Sequence, residues 1–463
     1  MTAGTPAQPL RVAIFGSGPA AFYAAEHLFK QKQFVIDVDM FDRLPVPFGL
    51  VRYGVAPDHL KIKQVTKVFD NIAAHPRFRF FGNVEFGKDV RLADLNEYYH
   101  QILFATGAQT DRRMGIPGED LHGSHPATEF VAWYNGHPDY RDRQWNLEVE
   151  SAAVVGVGNV AVDVARLLCL TRDELWASDA AEYAVEALSR SKIKDVFLLG
   201  RRGPAQAAFS NPEVKELGEL AEAELITRPD ETKLDELSAA SIADDRVSKA
   251  KVEILQSHAV ERSLTKPRKL TLRFLVSPVE LLGETGDGVT KMKLVRNTLV
   301  ASETGSLSAK ATNEFEELAV GLVFRSVGYR GVPLPEVPFH ERWGVILNER
   351  GRVIDLESKQ PILGMYTTGW IKRGPSGVVG TNKPDSVESV TCMLEDFSTG
   401  SLLQPSQANA ARAEKFICER KPDYLSYADW KRLDAIELEK GQACGRPRVK
   451  FTSVAEMKKA LGK

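Results

Sequence analysis

Two copies of one glycine pattern, 140 residues apart, constrain this chain more than any other feature of its 463 residues. The first reads Gly16-Ser-Gly18-Pro-Ala-Ala21 and the second Gly156-Val-Gly158-Asn-Val-Ala161. Each follows a short apolar run, Val12-Ala-Ile-Phe15 in one case and Ala152-Ala-Val-Val155 in the other. Each also opens a segment with apolar residues at helical spacing: Ala21, Ala24, Ala25 and Leu28, then Val160, Val164, Leu167 and Leu168. A strand that turns through glycine into a helix is a dinucleotide-binding unit. The first glycine permits the tight turn, the second lets backbone approach a pyrophosphate, and the small third residue lets helix and strand pack closely. The helix N-terminus then faces the phosphate charge. Two such units predict an α/β fold with two Rossmann-like nucleotide-binding domains and two dinucleotides, one a flavin held permanently and one a nicotinamide that exchanges. The cofactors would carry the hydride chemistry and the fold would align them.

The remaining pattern agrees with α/β architecture. Further apolar runs ending in glycine occur at 102–106, 196–199, 322–327 and 365–368. Such continuous runs suit strands buried on both faces of a parallel sheet, where ligands bind beyond the carboxyl ends. The two units differ at the end of their second strands. The run from Val35 to Phe41 ends in Asp42, placed to accept hydrogen bonds from a ribose diol. The run 196–199 ends in Gly200-Arg201-Arg202, a guanidinium pair suited to a 2′-phosphate that an aspartate would repel, so the second site should prefer NADP. The distance from Gly156 to Arg201 exceeds the usual spacing because residues 171–192 are inserted. Residues 221–246, rich in Asp and Glu, predict solvated helix and loop. Leu270-Thr-Leu-Arg-Phe-Leu275 and Met292-Lys-Leu-Val295 predict antiparallel strands, with Gly-Asp-Gly at 286–288 as a turn. Beyond Leu402 the pattern loosens, and Arg446-Pro-Arg-Val-Lys450 with Lys458-Lys459 predicts a basic surface tail.

Longer stretches carry a family resemblance. Leu44-Pro-Val-Pro-Phe-Gly-Leu-Val-Arg-Tyr-Gly-Val-Ala-Pro-Asp-His59, Arg77-Phe-Arg-Phe-Phe-Gly-Asn-Val84 and Ile116-Pro-Gly-Glu-Asp120 come first. Gly156-Val-Gly-Asn-Val-Ala-Val-Asp163, Gly200-Arg-Arg-Gly-Pro-Ala-Gln-Ala-Ala-Phe209 and the run from Gly369 to Lys383 follow. In that order, over nearly the whole chain, they resemble the adrenodoxin-reductase-like ferredoxin–NADP⁺ reductases, close to the mycobacterial type. The resemblance implies a glutathione-reductase-like arrangement in which an NADP domain (107–331) is inserted in a split FAD domain (1–106 and 332–463, the latter with a C-terminal extension). By position it implies FAD contacts at Ala20, Asp42, Leu50, Phe86, Trp370, Gly377, Val378 and Val379, beside Gly16 and Gly18. NADP would meet Val157, Gly158, Asn159, Val160, Arg201, Arg202, Glu213 and Gly377. Asp42 and Phe86 stand where relatives often carry Glu and Val. Trp370 would cover the flavin or sit in the core. His59 becomes an active-site candidate, with Glu213, Glu216 or Asp163 as polar partners, although hydride transfer itself needs no protein acid or base.

The activity so implied is that of an enzyme: NADPH reduces FAD, and electrons pass singly to a ferredoxin. The alternatives are an NADPH oxidase or diaphorase, and a flavin-linked redox sensor without a ferredoxin partner. Four scattered cysteines (169, 392, 418, 444) with no C-x-x-C argue against a disulfide reductase, a metal site or an iron–sulfur site. A formal charge of −2 excludes a globally basic nucleic-acid binder. No apolar run approaches the ~18 residues of a membrane span, and residues 1–9 show no secretory signal, so the expected location is cytoplasmic. An acidic ferredoxin would need a basic face; the candidates are Lys61, Lys63 and Lys67, Arg77 and Arg79, or Lys372 and Arg373.

Overall fold

The computed structural model describes residues 3–259, 265–284, 286, 288–303 and 305–463. The chain divides into two compact units, Met1–Thr110 with Tyr329–Lys463, and Asp111–Gly328.

In the first unit a seven-stranded sheet runs in the order Asn348–Glu349, Arg352–Ile354, Pro361–Thr367, Gln101–Phe104, Leu10–Phe15, Ile36–Asp42, Phe78–Gly82. The last five are parallel, and the first two join antiparallel at one edge. Leu10–Phe15 is buried along its whole length, which is why it reads as a continuous apolar run rather than an alternating one. Its register pairs Phe15 with Phe41, so Gly16 leaves the sheet beside Asp42. The helix Pro19–Phe29 starts on proline, whose fixed φ suits a first turn and whose missing N–H costs nothing there. It buries Ala21, Ala24, Ala25 and Leu28 in a core shared with Val390, Met393 and Phe397 of the helix Asn382–Thr399.

The C-terminal basic stretch is a correction: it is no surface tail. Arg446 and Lys450 are buried, and Phe451, Met457 and Leu461 join the core beneath Phe48, Phe69 and Trp430. Arg448 pairs with Asp434 and Glu437, each at 2.9 Å, and Lys458 pairs with Asp423. The charges are internal clamps, and the sequence alone does not display their partners.

In the second unit six parallel strands run in the order Ser124–Pro126, Leu322–Arg325, Ser151–Val155, Asp195–Leu199, Arg268–Arg273, Ala223–Thr227. A three-stranded antiparallel sheet, Val276–Glu284, Gly288–Ala301 and Leu307–Ala319, follows the parallel strand at 268–273. Met292 to Val295 lies in it, as their alternation predicts. Two expectations need correction. Residues 270–273 form a parallel strand, not an antiparallel one, because the polar position Arg273 is also interior, paired with the fully buried Glu231 at 2.8 Å. The acidic segment 221–246 is not all solvated: Ala223–Thr227 is the sheet's edge strand, and Glu231 and Ser238 are buried. Asp287, in the expected turn, lies outside the described residues. The inserted residues 171–192 form the helices Arg172–Trp176 and Glu182–Ser189. No helix among the described residues is long and apolar enough to cross a membrane.

Candidate dinucleotide sites

Both glycine turns are built alike. Gly16 holds φ +100° and Gly156 φ +132°, and a Cβ added at either would strike a carbonyl of the neighbouring parallel strand. The distances would be 2.3 Å to Ala105 O and 2.2 Å to Ser326 O. Gly18 and Gly158 differ in kind. Both are extended N-cap residues, and an added Cβ would meet no atom within 4 Å. Neither helix N-terminus has a side-chain cap. Each therefore presents orphan N–H groups and the positive end of its dipole to open space, which is how a pyrophosphate is held.

Around the first turn, Asp42 points back into the fingerprint. Its Oδ2 accepts from Ser17 N (3.0 Å) and Ser17 Oγ (2.5 Å), and its Oδ1 accepts from Leu44 N (2.9 Å). Burial pushes the carboxyl pKa up, against the pull of these bonds. Phe48 is buried with φ +87°, a strained conformation for a bulky residue, and its N–H donates to Ser17 O at 2.9 Å. This contact brings Gly49 onto Gly18 and Leu50, at the start of a one-turn helix, to the same loop. Ala20 meets Gly369 from the other side, and Ser386 Oγ donates to Ala20 O at 2.9 Å.

Trp370 follows Gly369 and is only half-buried; its indole N–H donates to Ser376 O at 3.1 Å and its ring lies 5.5 Å from that of Tyr329. The plain core position is thereby excluded. Gly377 and Val378 are exposed and Val379 half-buried, immediately before the 18-residue helix Asn382–Thr399. Phe86 packs edge-on against Phe15 (5.0 Å) and Phe104 (5.3 Å), at the strand ends that flank the turn. His59 is half-buried at the start of the helix Leu60–Lys63.

Around the second turn, Val157 O accepts from Ala208 N (2.9 Å) and Phe209 N (3.1 Å), and Asn159 Oδ1 accepts from Ser210 N (3.0 Å). The turn is thus fastened to the loop that carries the arginines. Arg201 is exposed and Arg202 half-buried, and among the described residues neither has a carboxylate partner. Burial and the neighbouring Arg201 charge both lower the Arg202 pKa, a strain that a bound anion would relieve. Glu213 is buried in the first turn of the helix Asn211–Gly218, where its charge and that of Glu216 support the buried Arg166, itself paired with Asp163 at 2.9 Å. Sequence reading passed over Lys251, whose Nζ donates to Ala207 O at 2.6 Å and lies 5.7 Å from the Phe209 ring centroid. Lys251 shares the buried face of the helix Arg246–Ser257 with Val252 and Leu255, and its polar partners are distant in the chain, so no local sequence signal marks it.

Most of the candidate basic face is already neutralised. Arg77 pairs with Asp37, Arg79 with Asp39 and Glu414, Lys372 with Asp385 and Glu388, and Arg373 with Asp385. Lys61 and Lys67 are exposed and, among the described residues, unpaired. The cysteines form no disulfide; all four are free thiols, and burial raises the Cys169 pKa to about 12.

Two fingerprint turns at the carboxyl ends of parallel strands define an α/β protein with two dinucleotide-type sites. Residues 10–273 match the family model described as pyridine nucleotide-disulphide oxidoreductase. The chain is 41% identical over 459 residues to the "NADPH-ferredoxin reductase FprA" of Mycobacterium tuberculosis, covering 97% of this chain and 98% of that one. It is 39% identical to the mitochondrial "NADPH:adrenodoxin oxidoreductase" of Salvelinus fontinalis, over 99% of this chain and 92% of that one. The solved structure of "Mycobacterium tuberculosis FprA in complex with NADPH" superposes with a TM-score of 0.92, covering 98% of this chain and 100% of that chain. The chain belongs to the pyridine nucleotide-disulphide oxidoreductase family, in its branch of adrenodoxin-reductase-like ferredoxin–NADP⁺ reductases.

Proposed function

We propose that this chain is an FAD-dependent ferredoxin–NADP⁺ reductase, taking hydride from NADPH and passing single electrons to a ferredoxin. The observation that carries the reading is the double cradle, with Gly18 and Gly158 each opening an uncapped helix start onto free space. The ferredoxin and adrenodoxin reductases to which nearly the whole chain aligns support the acceptor. When bound, FAD supplies the conversion from two-electron to one-electron chemistry.

The chain's own residues bind, orient and tune. In the reading proposed here, 1–106 and 332–463 hold FAD and 107–331 holds NADP. Gly16 and Gly18 admit the FAD pyrophosphate, Ala20 contacts FAD at the helix start, and Asp42 accepts from ribose. Leu50, Phe86 and Trp370 line the flavin and adenine ends. The backbone of Gly377, Val378 and Val379 serves the pyrimidine end of the flavin, where negative charge grows on reduction. Val157, Gly158, Asn159 and Val160 receive the second pyrophosphate, Arg201 and Arg202 its 2′-phosphate, and Glu213 and Gly377 the nicotinamide half. His59 is the catalytic candidate of this reading, and no proton transfer is assigned to it. A cytoplasmic setting belongs to the same reading and is supported by four unpaired thiols.

The test is spectroscopic. The purified protein should show flavin bands that NADPH bleaches anaerobically and that an added ferredoxin restores catalytically. A colourless holoprotein would sink the two-cofactor reading. Bleaching with no ferredoxin turnover would leave a diaphorase.

A further inference from the structure

The loop bearing Arg201 and Arg202 is held by a residue from the antiparallel sheet. Asn297 lies in the strand Gly288–Ala301, where pairing with Leu307–Ala319 slips by two residues between Val295 and Asn297. It is 4% exposed. Its Nδ2 donates to Arg201 O at 2.9 Å and to Ser277 Oγ at 2.8 Å, so both amide hydrogens are used. Its backbone N–H donates to Leu275 O at 2.7 Å. Leu275, in left-handed backbone at φ +57°, in turn donates to Arg202 O at 3.2 Å, and Val276 donates to Gly200 O at 3.1 Å.

Three consecutive carbonyls, those of Gly200, Arg201 and Arg202, are thereby fixed. One is held by Leu275 in the connector between the sheets, one by Val276 at the start of the antiparallel sheet, and the middle one by the Asn297 side chain. A buried amide must be satisfied somewhere. This one is spent on the residue whose side chain leaves the loop exposed and without a counter-charge. Fixing a carbonyl fixes the peptide plane, and with it the direction in which the next Cα–Cβ bonds point.

We propose that Asn297 is a positioning residue for NADP selectivity, aiming the guanidinium of Arg201 by holding its backbone. The inference rests on the reading of Arg201 and Arg202 as ligands of the 2′-phosphate. The antiparallel sheet, which carries no nucleotide fingerprint, acquires a purpose in that reading: it braces the selectivity loop from outside the parallel sheet.

The test uses adenosine 2′,5′-bisphosphate as probe and adenosine 5′-monophosphate as reference, with affinities measured by calorimetry on the flavin-loaded protein. Asn297→Ala removes the brace and should raise the Kd of the bisphosphate about three- to tenfold, the range of one hydrogen bond lost. The reference should shift less than about twofold on the same scale. Asn297→Asp keeps the shape but turns a carboxylate toward the Arg201 carbonyl, and should lose at least as much. Ser277→Ala removes only the other partner of the amide and should leave the ratio of the two ligands unchanged. The KM for NADPH should rise with the Kd while the KM for NADH stays put. Wild-type affinity in either folded Asn297 variant, an equal loss for both probes, or loss of fold in both variants would overturn the inference. A parallel Arg201→Ala/Arg202→Ala protein separates the two failures. If it leaves the bisphosphate affinity intact, the 2′-phosphate reading itself is wrong. If it loses affinity while Asn297→Ala does not, only the role of Asn297 falls.

Discussion

A methyl group added at Gly16 would lie 2.3 Å from Ala105 O, whereas one added at Gly18 would touch nothing. The same substitution two residues apart should therefore fail in two different ways. Gly16→Val cannot be accommodated without shifting backbone and should lower the melting temperature of the whole protein. Gly18→Val should fold with near-native circular dichroism and carry no FAD, because the new side chain fills the space the pyrophosphate needs. Flavin absorbance per folded chain distinguishes them, and normal flavin content in Gly18→Val would refute the first site. Arg201 and Arg202 invite an equally sharp separation. Charge-assisted bonds to a phosphate are each worth roughly 1.5–3 kcal/mol. Replacing both arginines by Ala should raise the KM for NADPH by about two orders of magnitude or more. NADH lacks the phosphate, so its kcat/KM should change little. A matching loss with both nucleotides would mean that the arginines hold the fold instead.

At the scale of elements, the C-terminal helices are bound in by a buried charge cluster. Glu437, in the helix Tyr427–Cys444, accepts from Arg52 (2.9 and 2.5 Å), from Arg448 (2.9 Å) and from Phe451 N (2.8 Å). Burial opposes its charge, but Arg52 and Arg448 outweigh burial and hold the carboxyl below the usual range. A depressed pKa means stability that is complete above the unfolded value, about 4.3, and lost as pH falls through the folded one. Glu437→Gln should therefore cost about 3–5 kcal/mol near neutrality, by stranding Arg52. Its gap in melting temperature from wild type should narrow below about pH 4.3; a constant gap would deny the ion pair its role. Removing residues 446–463 should do more. It deletes Phe451, Met457 and Leu461 from the core, each worth about 1.5–3 kcal/mol of burial, against a total stability of only ~5–15 kcal/mol. Insoluble protein is the expected outcome, and a soluble, flavin-loaded truncation would contradict it. These clamps explain what the sequence hides. Strands ending in glycine announce themselves because both faces are apolar. Arg273 and Glu224 break that signature inside real parallel strands, since their charges are met by groups distant in the chain. The glycine turns of the site were legible for a related reason, being local. Asn297 was not, because its partner Arg201 lies 96 positions away.

At the scale of the whole molecule, the formal charge of −2 gives no general attraction for an acidic partner. Any steering must come from a local face, and ion pairing narrows the choice. Arg77 and Arg79 answer Asp37, Asp39 and Glu414, while Lys372 and Arg373 answer Asp385 and Glu388. Lys61 and Lys67 stay exposed with Ile62 and Val68 between and beside them, and residues 59–69 contain no carboxylate. Unpaired positive charge on this segment can supply the local steering that the net charge does not. The reduction of an acidic ferredoxin should slow as ionic strength rises to the physiological level, where the Debye length falls to ~8 Å. Reduction of a small neutral dye by NADPH, which needs no protein partner, should respond less. Lys61→Glu/Lys67→Glu should reproduce the loss at low salt and flatten the salt dependence, acting on the association rate while dye reduction stays as in wild type. Replacing a neutral pair together, Asp37→Asn/Arg77→Gln, leaves the local charge unchanged, so its ferredoxin rate should keep the wild-type salt slope. Equal salt responses for ferredoxin and dye would show that association is not charge-steered. A retained slope in the double lysine variant would move the docking face elsewhere on the molecule.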